Sequence, residues 1–241
     1  MTESERIAEF LTEFKELEKE LVKIASIDDE FVSFSRALNQ IYYNQLNPVV
    51  SSRDNYEFLK TASDLRNILS HENDVCAPTP SFLTRFSNIK KAVVSPLTCY
   101  ELASKSIYIA HLDDLVKTAI KVMEKNRISH LPIVDEKGLV SGVFSRSVFF
   151  DYIYLHKDMD FDSSYKISDF FEVTGLDSHL NEAFYFVPRY TDVNKAYSLI
   201  RKNKAHDKTV GLLLVTEHGQ ANEKLLGVIT LTDLARVSIN D

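Results

Sequence analysis

The chain has 241 residues, with 28 Lys plus Arg against 35 Asp plus Glu, a formal charge of −7, 44% apolar residues, two cysteines and no tryptophan. This is the make-up of a globular protein able to bury one sizeable core or two small ones, and it excludes disordered, collagen-like and disulfide-framework classes. The acidic balance argues against broad electrostatic binding of nucleic acid or anionic lipid and leaves room for a local basic pocket.

The amino terminus is acidic and opens a charged helix, without the basic flank and apolar run of a signal peptide. No apolar stretch approaches the roughly 18 residues of a membrane span. Cys76 and Cys99 show no metal-ligand spacing. A cytoplasmic protein, off the membrane and without a metal, is expected.

Residues 3 to 100 read as all-helical. Ile7, Leu11, Phe14, Leu17, Leu21 and Ile24 recur at steps of three and four, which is one apolar helical stripe. Asp28 or Asp29 is expected to cap a second helix carrying Phe31, Phe34, Leu38, Ile41 and Leu46, closed by Asn47-Pro48. A third helix places Tyr56, Leu59, Leu65 and Ile68 or Leu69 at helical spacing and ends near His71. Ala77-Pro78-Thr79-Pro80 interrupts the pattern before a shorter helix over residues 81–92, and Val93-Val94-Ser95-Pro96 reads as a linker.

Beyond residue 100, short β-type runs alternate with amphipathic helices, and the pattern occurs twice. The first copy predicts a strand over 107–109, a helix over 113–124, and strands ending at Asp135 and Ser145. The second predicts a strand over 184–187, a helix over 191–202, strands over 210–215 and 226–230, and a final helix from Thr232. Each such unit exposes an apolar sheet face that its twin can cover. The expected fold class is therefore α+β, with an all-helical domain over 1–96 followed by a tandem β-α-β-β-α pair over 97–241. Its repeats span about 100–155 and about 165–241.

Several positions match a known pattern in order, twice. In the first copy, Ala119-Ile120-Lys121-Val122-Met123 fits an A-h-x-x-M helix. Ile128-Ser129-His130-Leu131-Pro132-Ile133-Val134-Asp135, with Gly138 and Gly142, fits an h-x-x-h-P-h-h-D-x-x-G-x-h-x-G core. In the second copy, Ala196-Tyr197-Ser198-Leu199-Ile200 fits the helix, and Gly227-Val228-Ile229-Thr230-Leu231-Thr232-Asp233 fits a G-h-h-T-x-x-D ending. The pair resembles tandem CBS domains, a Bateman module.

The resemblance implies a cleft for an adenosine-containing ligand such as AMP, ATP, a cyclic dinucleotide or S-adenosylmethionine. It implies a regulatory nucleotide sensor, relaying its ligand state through the helical domain or a homodimer to a regulated protein partner. Asp233 can accept hydrogen bonds from both ribose hydroxyls. The hydroxyl of Thr230, and Thr232 with the free N–H groups of the helix start, can face a phosphate. The plainer alternative is that Thr232 only caps the last helix and Asp233 is a solvated first-turn acid. In the first copy Ser145 keeps the hydroxyl, but Val148 stands where Asp233 would and cannot bind a ribose, while Phe149 and Phe150 suit a core or dimer interface. One competent and one degenerate site are expected. His130, beside Leu131-Pro132, is the histidine best placed for a ligand role. His111, His156, His179, His206 and His218 read as surface or packing residues.

The third helix ends Asp64-Leu65-Arg66-Asn67-Ile68-Leu69-Ser70-His71-Glu72, which resembles the R-x4-6-H signature of HEPN helical domains. That resemblance implies a metal-independent endoribonuclease, with His71 moving the proton of an RNA 2′-hydroxyl, Arg66 stabilising the phosphorane and Asn67 beside them. Asn67 and His71 share a helix face, whereas Arg66 lies well round from His71. The same spacing recurs in Arg201 to His206, inside the second repeat. Residues 1–100 also carry 11 basic against 15 acidic side chains, a poor surface for RNA. Three functions follow: a nucleotide-sensing regulator, a CBS-gated HEPN-type endoribonuclease, and a ligand-free CBS dimerisation platform.

Overall fold

The computed structural model describes residues 1–71, 76–157, 162–202 and 208–239. The chain divides into two compact units. One is Met1–Leu97 with Asp192–Leu199 and the last helix from Leu234; the other is Thr98–Thr191 with Ile200–Asp233.

The first unit is built on α1 (Glu3–Ala25), α2 (Phe34–Asn44), α3 (Arg53–His71) and α4 (Pro80–Val94). A reciprocal capping box starts α1: the Glu5 amide donates to Thr2 Oγ1, and the Thr2 amide donates to the Glu5 carboxylate. Its apolar stripe buries Phe10, Phe14, Leu17 and Leu21 against Phe34 and Leu38 of α2 and Phe86 of α4. Phe10 meets Phe86 edge-on with ring centroids 5.0 Å apart, the arrangement aromatic quadrupoles favour. The second helix starts later than the sequence suggests. Ser33, rather than Asp28 or Asp29, caps it, accepting from the Arg36 amide at 3.3 Å. Asp29 pairs instead with the Arg36 guanidinium at 2.5 Å. Phe31 therefore lies outside the helix and is 80% exposed.

In the second unit α5 (Cys99–Leu102) and α6 (Val116–Asn126) precede an antiparallel ribbon of β1 (His130–Val134) and β2 (Val140–Ser145). There follow α7 (Arg146–Leu155), a 3-10 turn (Ile167–Phe170) and α8 (Phe171–Thr174). The second repeat contributes β3 (Glu182–Pro188), α9 (Val193–Lys202), β4 (Thr209–Thr216), β5 (Gly227–Ile229) and α10 (Leu231–Ile239). Its sheet has the order β3-β4-β5, with β3 parallel to β4 and β4 antiparallel to β5. Val134, Val140 and Val143 of the first repeat bury against Leu212 and Leu214 of the second, so each apolar sheet face is covered by its twin.

Two further features differ from the sequence reading. Residues 107–109 form no strand. The segment joins β1 only at Ala110, whose amide donates to Pro132 O while its carbonyl accepts from the Val134 amide, both at 2.9 Å. The next rung of a parallel ladder would need an N–H from Pro132, and proline has none. Secondly, α9 is divided between the units, and its first turns bond within the helical one. Asn194 Nδ2 donates to Ala92 O at 3.0 Å and Ser198 Oγ donates to Leu46 O at 3.2 Å.

Gly142 sets what lies over the ribbon. It bridges Gly175, and a Cβ added there would stand 2.4 Å from the Thr174 carbonyl oxygen. Only a residue without a side chain lets the chain after α8 run this close to β2. Gly142→Ala is expected to destabilise the protein by roughly 1–3 kcal/mol, as overpacking against a rigid backbone does. Urea unfolding would measure it; an unchanged midpoint would contradict this role of the close approach.

Candidate functional site

Two helix N-termini mark the candidate sites. In the second repeat, β5 ends at Ile229 and α10 begins at Leu231, so Thr230 rather than Thr232 is the capping residue. The Asp233 amide donates to Thr230 Oγ1 at 3.2 Å. In return Asp233 Oδ2 accepts from the Thr230 amide at 2.9 Å and from its hydroxyl at 2.7 Å. The Thr230 and Asp233 side chains therefore form a reciprocal capping box. The box holds a half-buried carboxylate at the positive end of a helix, with Thr232 exposed beside it.

In the first repeat, Ser145 caps α7, its Oγ accepting from the Val148 amide at 3.3 Å. Val148 is fully buried among apolar side chains and has no polar role. A carboxylate is nonetheless present, supplied by Glu182 at the start of β3. Its Oε2 accepts from Ser145 Oγ and Ser147 Oγ, both at 2.5 Å, and its Oε1 lies 2.9 Å from His130 Nε2. His130 stands directly across the ribbon from Ser145, so the β1–β2 register brings imidazole and hydroxyl to one spot. Ser129 Oγ bonds the other ring nitrogen of His130 at 2.8 Å.

His179, almost completely buried, completes the cluster. Its Nε2 lies 3.2 Å from Thr174 O, and its Nδ1 lies 3.6 Å from Glu182 Oε2, outside hydrogen-bond reach. The Phe184 ring packs edge-on to His179 at 4.6 Å and to His130 at 6.1 Å between ring centroids. Gly211 permits this, since a Cβ there would stand 2.6 Å from the Phe184 ring and 3.1 Å from His130 Nε2.

Electrostatics follow from these contacts. Burial alone would push the Glu182 carboxyl up. The hydrogen bond from His130, the approach of His179 and the two serine hydroxyls outweigh it and hold the group well below the usual carboxylate range. Asp151, one turn further along α7, is buried with Oδ2 making no hydrogen bond, and burial pushes its carboxyl up.

The structure thus groups His130 and Ser145 at one point and Thr230, Thr232 and Asp233 at another. Glu182 and Ser147 are absent from the sequence reading, and His179, read there as a surface or packing residue, belongs to the cluster. Only the packing of β3 against the β1–β2 ribbon and α7 brings Glu182 to Ser145, and no spacing rule links residues 37 apart. In the helical unit, Arg66 bonds Asn67 Oδ1 at 3.1 Å, lies 3.6 Å from Glu18 and covers the Phe14 ring at 5.4 Å. The side chain of His71 lies outside the described residues. Among the described residues no group of histidine, cysteine or acidic side chains could hold a metal ion, and no helix is long and apolar enough to cross a membrane.

Comparison with known proteins is consistent with the repeat. Residues 99–154 and 178–240 each match the CBS domain family. A homoserine O-acetyltransferase of Methanococcus vannielii is 31% identical over 142 residues, 58% of this chain; the match spans 25% of that relative. Among solved structures, an acetoin utilization protein of Vibrio cholerae is 19% identical over 60% of this chain and 91% of its own, with a TM-score of 0.44. CBSX2 in complex with AMP is 17% identical over 60% of this chain and 97% of its own, with a TM-score of 0.41.

The depressed Glu182 group has a definite pH signature. A carboxylate whose folded value lies below its ordinary value near 4.5 contributes stability above that value and loses it as the pH falls further. Glu182→Gln is expected to be less stable than wild type at neutral pH, with the gap closing on acidification below about pH 4.5. Urea midpoints across this range provide the check, and a gap independent of pH would contradict the charge assignment.

Proposed function

For the tandem CBS-domain pair that residues 99–154 and 178–240 form, we propose a regulatory role as a sensor of an adenosine-containing ligand, held at the second-repeat helix start. The carrying observation is the Thr230–Asp233 capping box inside the G-h-h-T-x-x-D ending. It orients a carboxylate that can accept ribose hydroxyls, next to the amides of a helix N-terminus that favour a phosphate. AMP is the natural first probe, since it is the ligand of the CBSX2 structure. The other candidates are ATP, a cyclic dinucleotide and S-adenosylmethionine.

The relay from ligand to output is proposed to run through the helical domain or a homodimer. The Thr230–Asp233 box opens α10, so a ligand at Asp233 would bear on the start of that helix. Binding shifts the protein only if it favours one arrangement over another. Phe150, Tyr154 and Leu155 are exposed on α7, an apolar surface suited to a second copy and in keeping with a dimerisation role. In a ribonuclease, Arg66 would have to reach a phosphorane. Its contacts with Glu18 and Phe14 favour the regulatory reading instead.

The test is AMP titration by calorimetry on wild type and Asp233→Asn, whose amide oxygen can still accept from Thr230. Wild type should bind, and the substitution should weaken binding at least tenfold, about 1.4 kcal/mol. Equal affinities would remove Asp233 from the site; absence of binding to AMP, ATP, cyclic dinucleotide and S-adenosylmethionine at millimolar concentrations would overturn the sensor reading.

A further inference from the structure

The Glu182 cluster has the construction of an anion receptor. The donors Ser145 Oγ and Ser147 Oγ, at 2.5 Å, and His130 Nε2, at 2.9 Å, converge on one carboxylate. They stand at the N-terminus of α7, a helix of 10 residues whose dipole favours negative charge there. A second, independent feature points the same way. His179 is 1% exposed, and its Nδ1 faces the carboxylate at 3.6 Å while making no hydrogen bond. Its Nε2 bonds the Thr174 carbonyl and so carries a hydrogen, and Nδ1 can serve a carboxylate only as a second N–H donor. Glu182 itself arrives from the other repeat, on β3, and both of its oxygens are engaged.

The second repeat shows what this arrangement replaces. There the capping hydroxyl of Thr230 bonds a carboxylate from its own helix, Asp233. In the first repeat that helix position is Val148, fully buried, and the capping hydroxyl of Ser145 bonds Glu182 instead. The group filling the receptor is thus separable from the receptor in the chain, which a carboxylate on α7 itself would not be.

We propose that the N-terminus of α7, with Ser145, Ser147, His130 and His179, is a binding site for a small carboxylate-type oxyanion, occupied internally by Glu182. The tethered carboxylate has a high effective concentration at the site and excludes free anions from it. The first-repeat end is in this way closed to anionic ligands, and a free carboxylate enters only when Glu182 is removed. This proposal concerns α7 and does not depend on nucleotide binding at α10.

Sodium formate is the probe, because it has the planar two-oxygen group of the missing side chain. Glu182→Ala is expected to melt at a lower temperature than wild type. Formate should restore at least half of the loss in a saturable manner, measured against sodium chloride of equal ionic strength, while wild type responds alike to both salts. Glu182→Ala combined with Ser147→Ala should lose most of that rescue. A formate effect no larger than that of chloride in Glu182→Ala, an equal formate effect in wild type, or rescue that persists undiminished without Ser147 would each overturn the proposal. Should Glu182→Ala not fold in chloride, the refolding yield in formate against chloride reads the same outcomes.

Discussion

Removing a carboxylate from water is expensive unless hydrogen bonds and opposite charge replace its hydration, and the CBS pair is arranged around one such group. Glu182 sits at the start of β3, and its oxygens take hydrogen bonds from β1, from the end of β2 and from the first turn of α7. A set of backbone constraints serves that meeting. The β1–β2 register sets His130 opposite Ser145. Gly142 lets the chain after α8 pass against β2, which carries His179 toward the cluster. Gly211 leaves room for the Phe184 ring and the His130 imidazole. At both glycines a side chain would push apart the donors that make the half-buried charge tolerable.

The two repeats solve the same local problem by different routes. Both start a helix with a hydroxyl residue whose oxygen receives an amide from the first turn. In the second repeat the accompanying carboxylate is three residues further along the same helix, so the device is local and independent of tertiary folding. In the first repeat the carboxylate comes from the partner repeat, so it exists only once the two are packed together. A symmetry in the sequence pattern thus becomes asymmetric in chemistry. One helix start presents a carboxylate, while the other has absorbed one.

The helical unit follows simpler rules. Its aromatic and aliphatic stripe forms a continuous core from α1, α2, α3 and α4, and its arginine near the end of α3 is held by Glu18, Asn67 and the Phe14 ring. The departures from periodicity are equally local. Ser33 outcompetes Asp28 and Asp29 as a cap because its hydroxyl meets the Arg36 amide, whereas Asp29 is drawn to the Arg36 side chain.

By itself the sequence determined the class and order of the elements: an amphipathic helical stretch, then a repeated β/α pattern with a CBS-type signature and its Thr230–Asp233 ending, whereas the structure made Thr230 rather than Thr232 the cap of the last helix. These depend on residues within a few positions of each other, and helical periodicity, strand alternation and capping motifs are all short-range. The tertiary structure decided what long-range pairing alone can decide. Pro132 lacks the N–H that would extend a ladder toward residue 108, so the expected first strand reduces to a single bridge at Ala110. The turns that begin α9 bond within the helical unit. Glu182, 37 residues from Ser145, supplies the charge that Val148 cannot. A half-buried carboxylate finds its donors through packing of distant segments, and no spacing along the chain records that meeting.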